Sequence, residues 1–258
     1  MIAMPKERDP KEEKQEMEQM EEVKTDEEST EKIEKEITLE DPVATSGWIP
    51  KTALGNDVLK GKYGSLEQVL RKGELILEPE IVDHLIPDIK HEILYIGGSP
   101  GKGGGIRRTA TKRTARMHKS GRRFKLTSAI VVGNEEGIVG LGKASSKEHR
   151  IAIEKATIQG KLNIIRARRG CGSWECGCGG KHSIPFKTSA KHGSVGVTLL
   201  PAPKGVGIVA DRTSRAILKL AGIRDVWVQM SGNSGARINL AYAIFDALKN
   251  LNRTKGDV

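Results

Sequence analysis

Aromatic residues are scarce in this 258-residue chain, at 3%, three each of Trp, Tyr and Phe. A platform that stacks successive single-stranded bases needs exposed rings, so that class of binding surface is not expected. Long apolar runs are missing as well. None approaches the ~18 residues that mark a membrane-spanning helix. The first residues are acidic and polar, so no signal peptide is expected. Cysteine is limited to three residues, an odd number. That does not suit a secreted disulfide framework, and a cytoplasmic location is expected.

Charge is abundant and unevenly placed. Lys and Arg number 43 against 33 Asp and Glu, a formal net charge of +10. Met1 to Ser46 hold 7 basic and 16 acidic residues, a net of −9, and the rest of the chain holds 36 against 17, a net of +19. Residues 1–45, rich in Glu, Lys, Gln and Met, are expected to be a disordered acidic tail, because they cannot bury enough apolar surface to offset ordering entropy. Lys102 to Lys125 contain ten Lys or Arg and no acid, within an acid-free stretch from Ile93 to Asn134. Like charge at that density repels itself unless an anion lies against it. A nucleic-acid backbone supplies such an anion. The bland alternative is a solvated basic loop.

Order is expected from Trp48, whose indole would anchor an extended segment. A short helix fits Ser65 to Arg71, stopped by Gly73. Glu80 to Ile96 read as a helix broken or kinked at Pro87. Ile106 to His118 have neither helical nor alternating apolar order, which fits an arm or hairpin lying on RNA. Phe124, Leu126, Ser128, Ile130 and Val132 form one strand face, Gly133 to Gly137 a turn, and Ile138 to Ala144 a returning strand. Ser145 and Glu148 have capping-box spacing for a helix running to about Arg166. Its buried face would carry Ile151, Ile158, Leu162 and Ile165. After a Gly- and Cys-rich linker, Ser183 to Ser189 and Val195 to Leu200 read as strands. Asp211 caps a helix ending at Gly222, with Ile223 placed for a Schellman contact. Asp225 to Met230 form a strand, and Ser234 to Leu251 a final helix. The pattern is α+β, in two small domains.

The order of motifs resembles the universal small-subunit ribosomal protein S-five family, archaeal type. The matching stretches are Gly121-Arg122-Arg123-Phe124, Val132-Gly133-Asn134, Gly137-Ile138-Val139-Gly140-Leu141-Gly142 and Lys147-Glu148. Pro201-Ala202-Pro203, Gly205-Val206-Gly207-Ile208-Val209 and Ala221-Gly222-Ile223 follow. The resemblance covers roughly Trp48 to Leu251. It implies an N-terminal extension over 46–79 and a double-stranded-RNA-binding-like αβββα-type domain over 80–166. Beyond a linker over 167–181 it implies a C-terminal α+β sandwich domain over 182–251. It also implies a structural, non-enzymatic role in the small ribosomal subunit, near the decoding centre and the mRNA entrance, supporting translational accuracy. Small-subunit rRNA and neighbouring ribosomal proteins would be its partners. In the family a basic loop between the first two strands inserts into rRNA, which maps here onto Arg116 to Arg123.

The residues support that expectation independently. A β surface bearing cations grips phosphate and ribose without reading bases, as RNA helices require. Arg adds a planar fork that Lys lacks. Expected RNA contacts are Arg107, Arg108, Lys112, Arg113, Arg116, Lys119, Arg122, Arg123 and Lys125 in the basic run, with Arg168 and Arg169 near the linker. Arg212 and Arg237 join them at two loops that enter helices, because a helix N-terminus with a nearby Arg suits phosphate. Plain turn chemistry explains those two loops as well. The other readings are a free-standing double-stranded-RNA-binding regulator and a nucleotide-dependent RNA enzyme. Gly97 to Lys102 fail the spacing of a phosphate-binding Walker loop, and Gly205-x-Gly207-x-x-Ala210 lacks the βαβ context of a dinucleotide site.

Cys171, Cys176, Cys178 and His182 read Cys-x4-Cys-x-Cys-x3-His. Three thiolates and an imidazole complete a tetrahedral zinc set, and the surrounding glycines permit a tight wrap. A structural zinc is therefore expected in the linker. Three reduced thiols in a loop are the alternative.

Overall fold

The computed structural model describes residues 48–101 and 103–253. The acidic tail expected over 1–45 lies outside them. The described residues begin with three short helices, α1 (Ala53–Leu59), α2 (Leu66–Lys72) and α3 (Glu80–Leu85). Trp48 anchors this entry as expected: its indole N–H donates to Glu78 at 2.9 Å, and the amides of Lys51 and Thr52 donate to the other oxygen of the same carboxylate. Gly73 stops α2 in the left-handed conformation. Val58, Leu66, Val69, Ile81 and Val82 make a small core that continues into the following sheet through Ile138 and Ile164.

The strands that follow are β1 (Lys90–Ile93), β2 (Gly97–Pro100), β3 (Ile106–Thr109), β4 (Thr111–His118), β5 (Gly121–Gly133) and β6 (Ile138–Ser146). Helix α4 (His149–Leu162) and β7 (Ile164–Arg166) complete the first domain. The sheet order is β1-β5-β6-β7, and β4 also pairs with β5. Helix α3, strands β1, β5 and β6, and helix α4 form the expected αβββα unit. The helix expected through Ile96 is corrected. Pro87 ends helical continuation, and Lys90–Ile93 instead pair with Gly133–Ile130 on the open edge of β5.

Helix α4 is also corrected in its start and in its buried face. Ser145 lies within β6 and Glu148 is the N-cap without a side-chain bond, so no capping box forms. The buried residues are Ala152, Ala156 and Gly160, whereas Ile158 is exposed. The cause is the strand beneath. A Cβ at Gly142 would overlap the Ala156 carbonyl, and one at Gly140 would overlap that of Gly160. The helix backbone therefore lies directly on β6, and only small side chains fit the contact. Ile165 belongs to β7, not to the helix.

The second domain contains β8 (Thr188–His192), β9 (Val195–Pro201), β10 (Ile208–Val209), α5 (Arg212–Leu220), β11 (Val226–Gly232) and α6 (Arg237–Asn250). Its sheet order is β10-β11-β9-β8, with β10 parallel to β11 and the other pairs antiparallel. Ser183 is not in the strand expected there; it makes an isolated bridge with Gly170. Asp211 caps α5 through the amide of Thr213. At the other end Gly222 and Ile223 donate back to Lys219 and Leu218, as the expected helix stop requires. One core joins the domains: Ala129, Val131, Val139 and Leu141 of the first sheet cluster with Ile217, Leu220 and Leu248 of the second domain. Both faces of β5 are thus buried beyond Leu126, one against α4 and one against α5.

Candidate nucleic-acid interface

The register of β5 creates the main basic feature. Strand β6 pairs only with residues from Leu126 onward, and β1 only from Ile130 onward. Gly121 to Lys125 have β4 alone, paired as His118↔Gly121 through Thr114↔Lys125. This two-stranded arm projects roughly 15 Å at the usual rise per residue. Lys119 and Ser120 form its tip, and Gly121 takes a φ of 103° that residues with a Cβ rarely adopt.

Opposed residues on an antiparallel pair share a face. One face of the arm carries Met117, Arg122 and Phe124, with Arg113 at its base. The guanidiniums of Arg113 and Arg122 lie 4.5 and 5.2 Å from the centroid of the Phe124 ring. The other face carries Lys112, Arg116, Arg123 and Lys125. Arg123 also donates to the Ser120 hydroxyl at 2.9 Å. Thr111 is buried at the base and bonds the His149 ring at 2.7 Å, which ties the arm to α4. Arg107 and Arg108 lie on β3, in the neighbouring hairpin with β2. All nine expected cations of the basic run are exposed. Among the described residues, none of the nine has a carboxylate partner.

The remaining expected contacts divide. Arg212 is exposed, with its guanidinium 4.2 Å from the Tyr95 ring centroid. Arg215 and Lys219 extend it into an exposed stripe on α5 that sequence reasoning missed. Their three- and four-residue spacing from Arg212 was the available signal. Arg168 is half-buried. Arg169 is held internally: its guanidinium donates to the carbonyls of Glu135 and Glu136 and clamps the β5–β6 turn. Arg237 is drawn onto Asp211 in an ion pair. Burial pushes the Asp211 carboxyl up. The bonds from Arg237 and Thr213, with the Arg237 charge, outweigh burial and hold it below the usual range. A carboxylate therefore already occupies the N-terminus of α5, the end expected to suit phosphate.

Among the described residues, the two glycine-rich segments weighed as nucleotide sites take other forms, and Lys102 lies outside those residues. Gly97–Pro100 form strand β2, and β3 follows it rather than a helix. The amides of Gly205 and Gly207 donate to Asp225 at 3.0 and 2.8 Å, so they are turned inward.

The expected metal ligands do converge. The ligand atoms of Cys171, Cys176, Cys178 and His182 all lie within 4.8 Å of one another. His182 Nε2 is 3.7 Å from Cys176 Sγ, and its Nδ1 is 2.8 Å from Asp225 Oδ2. The backbone N–H of Lys204, with bonds from Cys178, lowers the Cys176 thiol to about 6. Burial pushes Cys171 up to about 11. Asp225 was missed by sequence reasoning, because it lies 43 residues from His182.

Fold and surface define a nucleic-acid-binding α+β protein with a projecting basic arm. Two family models match the chain: "Ribosomal protein S5, N-terminal domain" over residues 108–168 and "Ribosomal protein S5, C-terminal domain" over residues 190–258. Proteins named "Small ribosomal subunit protein uS5" are similar to it over most of their length. That of Methanocaldococcus jannaschii is 48% identical over 208 residues, covering 81% of this chain and 89% of the relative. That of Methanococcus maripaludis is 47% identical, covering 81% and 84%. That of Pyrobaculum calidifontis is 45% identical, covering 81% and 96%. The chain belongs to the ribosomal protein S5 family, which is a family of structural proteins and not of enzymes.

Proposed function

We propose that this chain is a structural constituent of the small ribosomal subunit in the cytoplasm, where it binds rRNA through the β4–β5 arm. Its proposed seat is near the decoding centre and the mRNA entrance, beside other small-subunit proteins, where it supports translational accuracy. The observation that carries the reading is the arm itself: a free two-stranded ribbon with cations on both faces and, among the described residues, no carboxylate partner. Such a ribbon reaches phosphates on two sides of an RNA groove, and each contact releases counterions. Arg212, Arg215 and Lys219 offer a second basic stripe on the C-terminal domain. The similarity to proteins named for the small subunit supports the choice of ribosomal RNA over other duplexes.

Gradient sedimentation of cell lysate tests this directly. The chain should travel in the small-subunit peak and stay there after a moderate salt wash. Recovery at the top of the gradient, with tight binding to arbitrary duplex RNA, would instead favour the free-standing regulator. A stop-codon readthrough reporter in cells carrying arm variants tests the accuracy role, and unchanged readthrough would remove it.

A further inference from the structure

We infer that Cys171, Cys176, Cys178 and His182 form a structural zinc centre whose imidazole is fixed by Asp225, and that this centre fastens the interdomain linker to the C-terminal domain. The inference does not rest on the ribosomal reading. The donor set comes first. Three sulfurs and one imidazole nitrogen make a four-ligand set that leaves no open position for water. Their spread matches a single ion. A mononuclear tetrahedral zinc with bonds of about 2.3 Å to sulfur sets ligand atoms about 3.8 Å apart. The observed separations, 3.7 Å for His182 to Cys176 and at most 4.8 Å for any pair, lie close to that value.

One of the sulfurs has a backbone amide turned toward it. The backbone N–H of Gly180 donates to Cys178 Sγ at 3.4 Å. Amides pointed at sulfur stabilise negative charge there, as they do around any anion. Beyond the ligands stands Asp225. It accepts from His182 Nδ1 at 2.8 Å, which leaves Nε2 as the metal-facing nitrogen. A carboxylate behind a ligating imidazole sets its tautomer and orientation. The other Asp225 oxygen accepts the amides of Gly205 and Gly207. The side chains of His182 and Asp225 are only 11% and 7% exposed, so this relay is internal.

The centre would therefore join two segments that share few other ties. One is the linker loop from Cys171 to His182, which carries the almost fully exposed Trp174. The other is the 204–207 loop that leads into β10 and α5. Apart from the ligands, the linker is held by the Gly170–Ser183 bridge, by the Gly172 amide on Ile184 and, at its end, by the amides of Arg224 and Asp225 on the His182 carbonyl.

Full-length protein, purified without chelator, is analysed for metal and then reconstituted with Co2+. About one zinc per chain, with a cobalt spectrum of thiolate charge transfer and tetrahedral ligand-field bands, supports the centre. The Cys176→Ser, Cys178→Ser double variant should lose the zinc and the bands while keeping its far-ultraviolet circular dichroism. Asp225→Asn should still reach one zinc at saturation, with affinity about 10–100-fold weaker in a chelator competition. Iron in place of zinc would overturn the choice of metal. No metal at saturating zinc in folded parent protein, with three freely titrating thiols, would overturn the centre. Asp225→Asn with parental affinity would leave the centre and remove the relay. If that variant fails to fold, hydrogen exchange of the parent decides the fastening. Chelation should speed exchange in residues 171–182 and 204–207 together, and a change in the linker alone would overturn it.

Discussion

Arg116 and Arg123 stand directly opposite each other across the β4–β5 arm. Like charges opposed on one sheet face repel. The free protein thus holds an unfavourable contact that an intervening phosphate would turn into a favourable one. Arg116→Thr should raise the melting temperature slightly, by about 1–2 °C, while weakening rRNA binding. Scanning calorimetry beside a filter-binding titration tests the pair of effects. Loss of stability together with unchanged binding would contradict the phosphate reading.

Neutralising Lys119, Arg122 and Arg123 to Gln at the arm tip should weaken rRNA binding and flatten its salt dependence. The slope of log affinity against log salt should fall by up to ~0.9 per lost phosphate contact on the duplex-DNA calibration. An unchanged slope would mean that the tip meets no phosphate.

Gly142→Ala should destabilise the protein by about 1–3 kcal/mol or more, because the new methyl meets the backbone of α4 rather than a movable side chain. Ile158→Ser on the outer face of the same helix should stay within about 0.5 kcal/mol. Urea unfolding of the two variants ranks them. The opposite ranking would restore the face expected from sequence.

Asp211 and Arg237 predict an acid-limb effect. The Asp211 carboxyl is held below its usual range when folded, so its contribution is present above the unfolded carboxylate pKa of ~3.9. It is lost as pH falls through the lower folded value. Asp211→Asn keeps a capping oxygen but loses the charge facing Arg237, so it should cost about 1–3 kcal/mol at pH 7, and the gap to the parent should close as pH falls below about 4. A gap independent of pH would point to lost packing instead of lost charge.

Glu78→Gln removes the charge that holds Trp48, Lys51 and Thr52. Hydrogen exchange at the amides of Lys51 and Thr52 should speed up several-fold, with little change in α4 or β5. Spread of the effect into the central sheet would show that the entry segment is more than a local clasp.

Much of this protein was legible because its causes are local. Asp211 and Gly222 bound α5 through caps that need only their near neighbours. The turn from Gly133 to Gly137 shows itself in composition, and Asn134 closes it by accepting the amides of Glu136 and Ile138. The arm was visible as charge without apolar alternation, which no core strand could carry. The four metal-ligand candidates were visible because they fall within twelve residues.

Tertiary structure decided the rest, and in each case the cause lies far along the chain. Lys90–Ile93 became a strand because β5 left an edge open at Ile130 to Gly133, far along the chain. Helix α4 turned Ala152, Ala156 and Gly160 inward because Gly140 and Gly142 let its backbone descend onto β6. Ala129 and Val131 were buried by the second domain, which hid the alternation of β5. Arg169 and Arg237 read as surface cations until the fold brought them the Glu135 and Glu136 carbonyls and the Asp211 carboxylate. Capping, turn conformation and charge density act within a few residues and are written in them. Edge pairing, close approach and ion pairing depend on which distant segment arrives, and only the packed chain determines that.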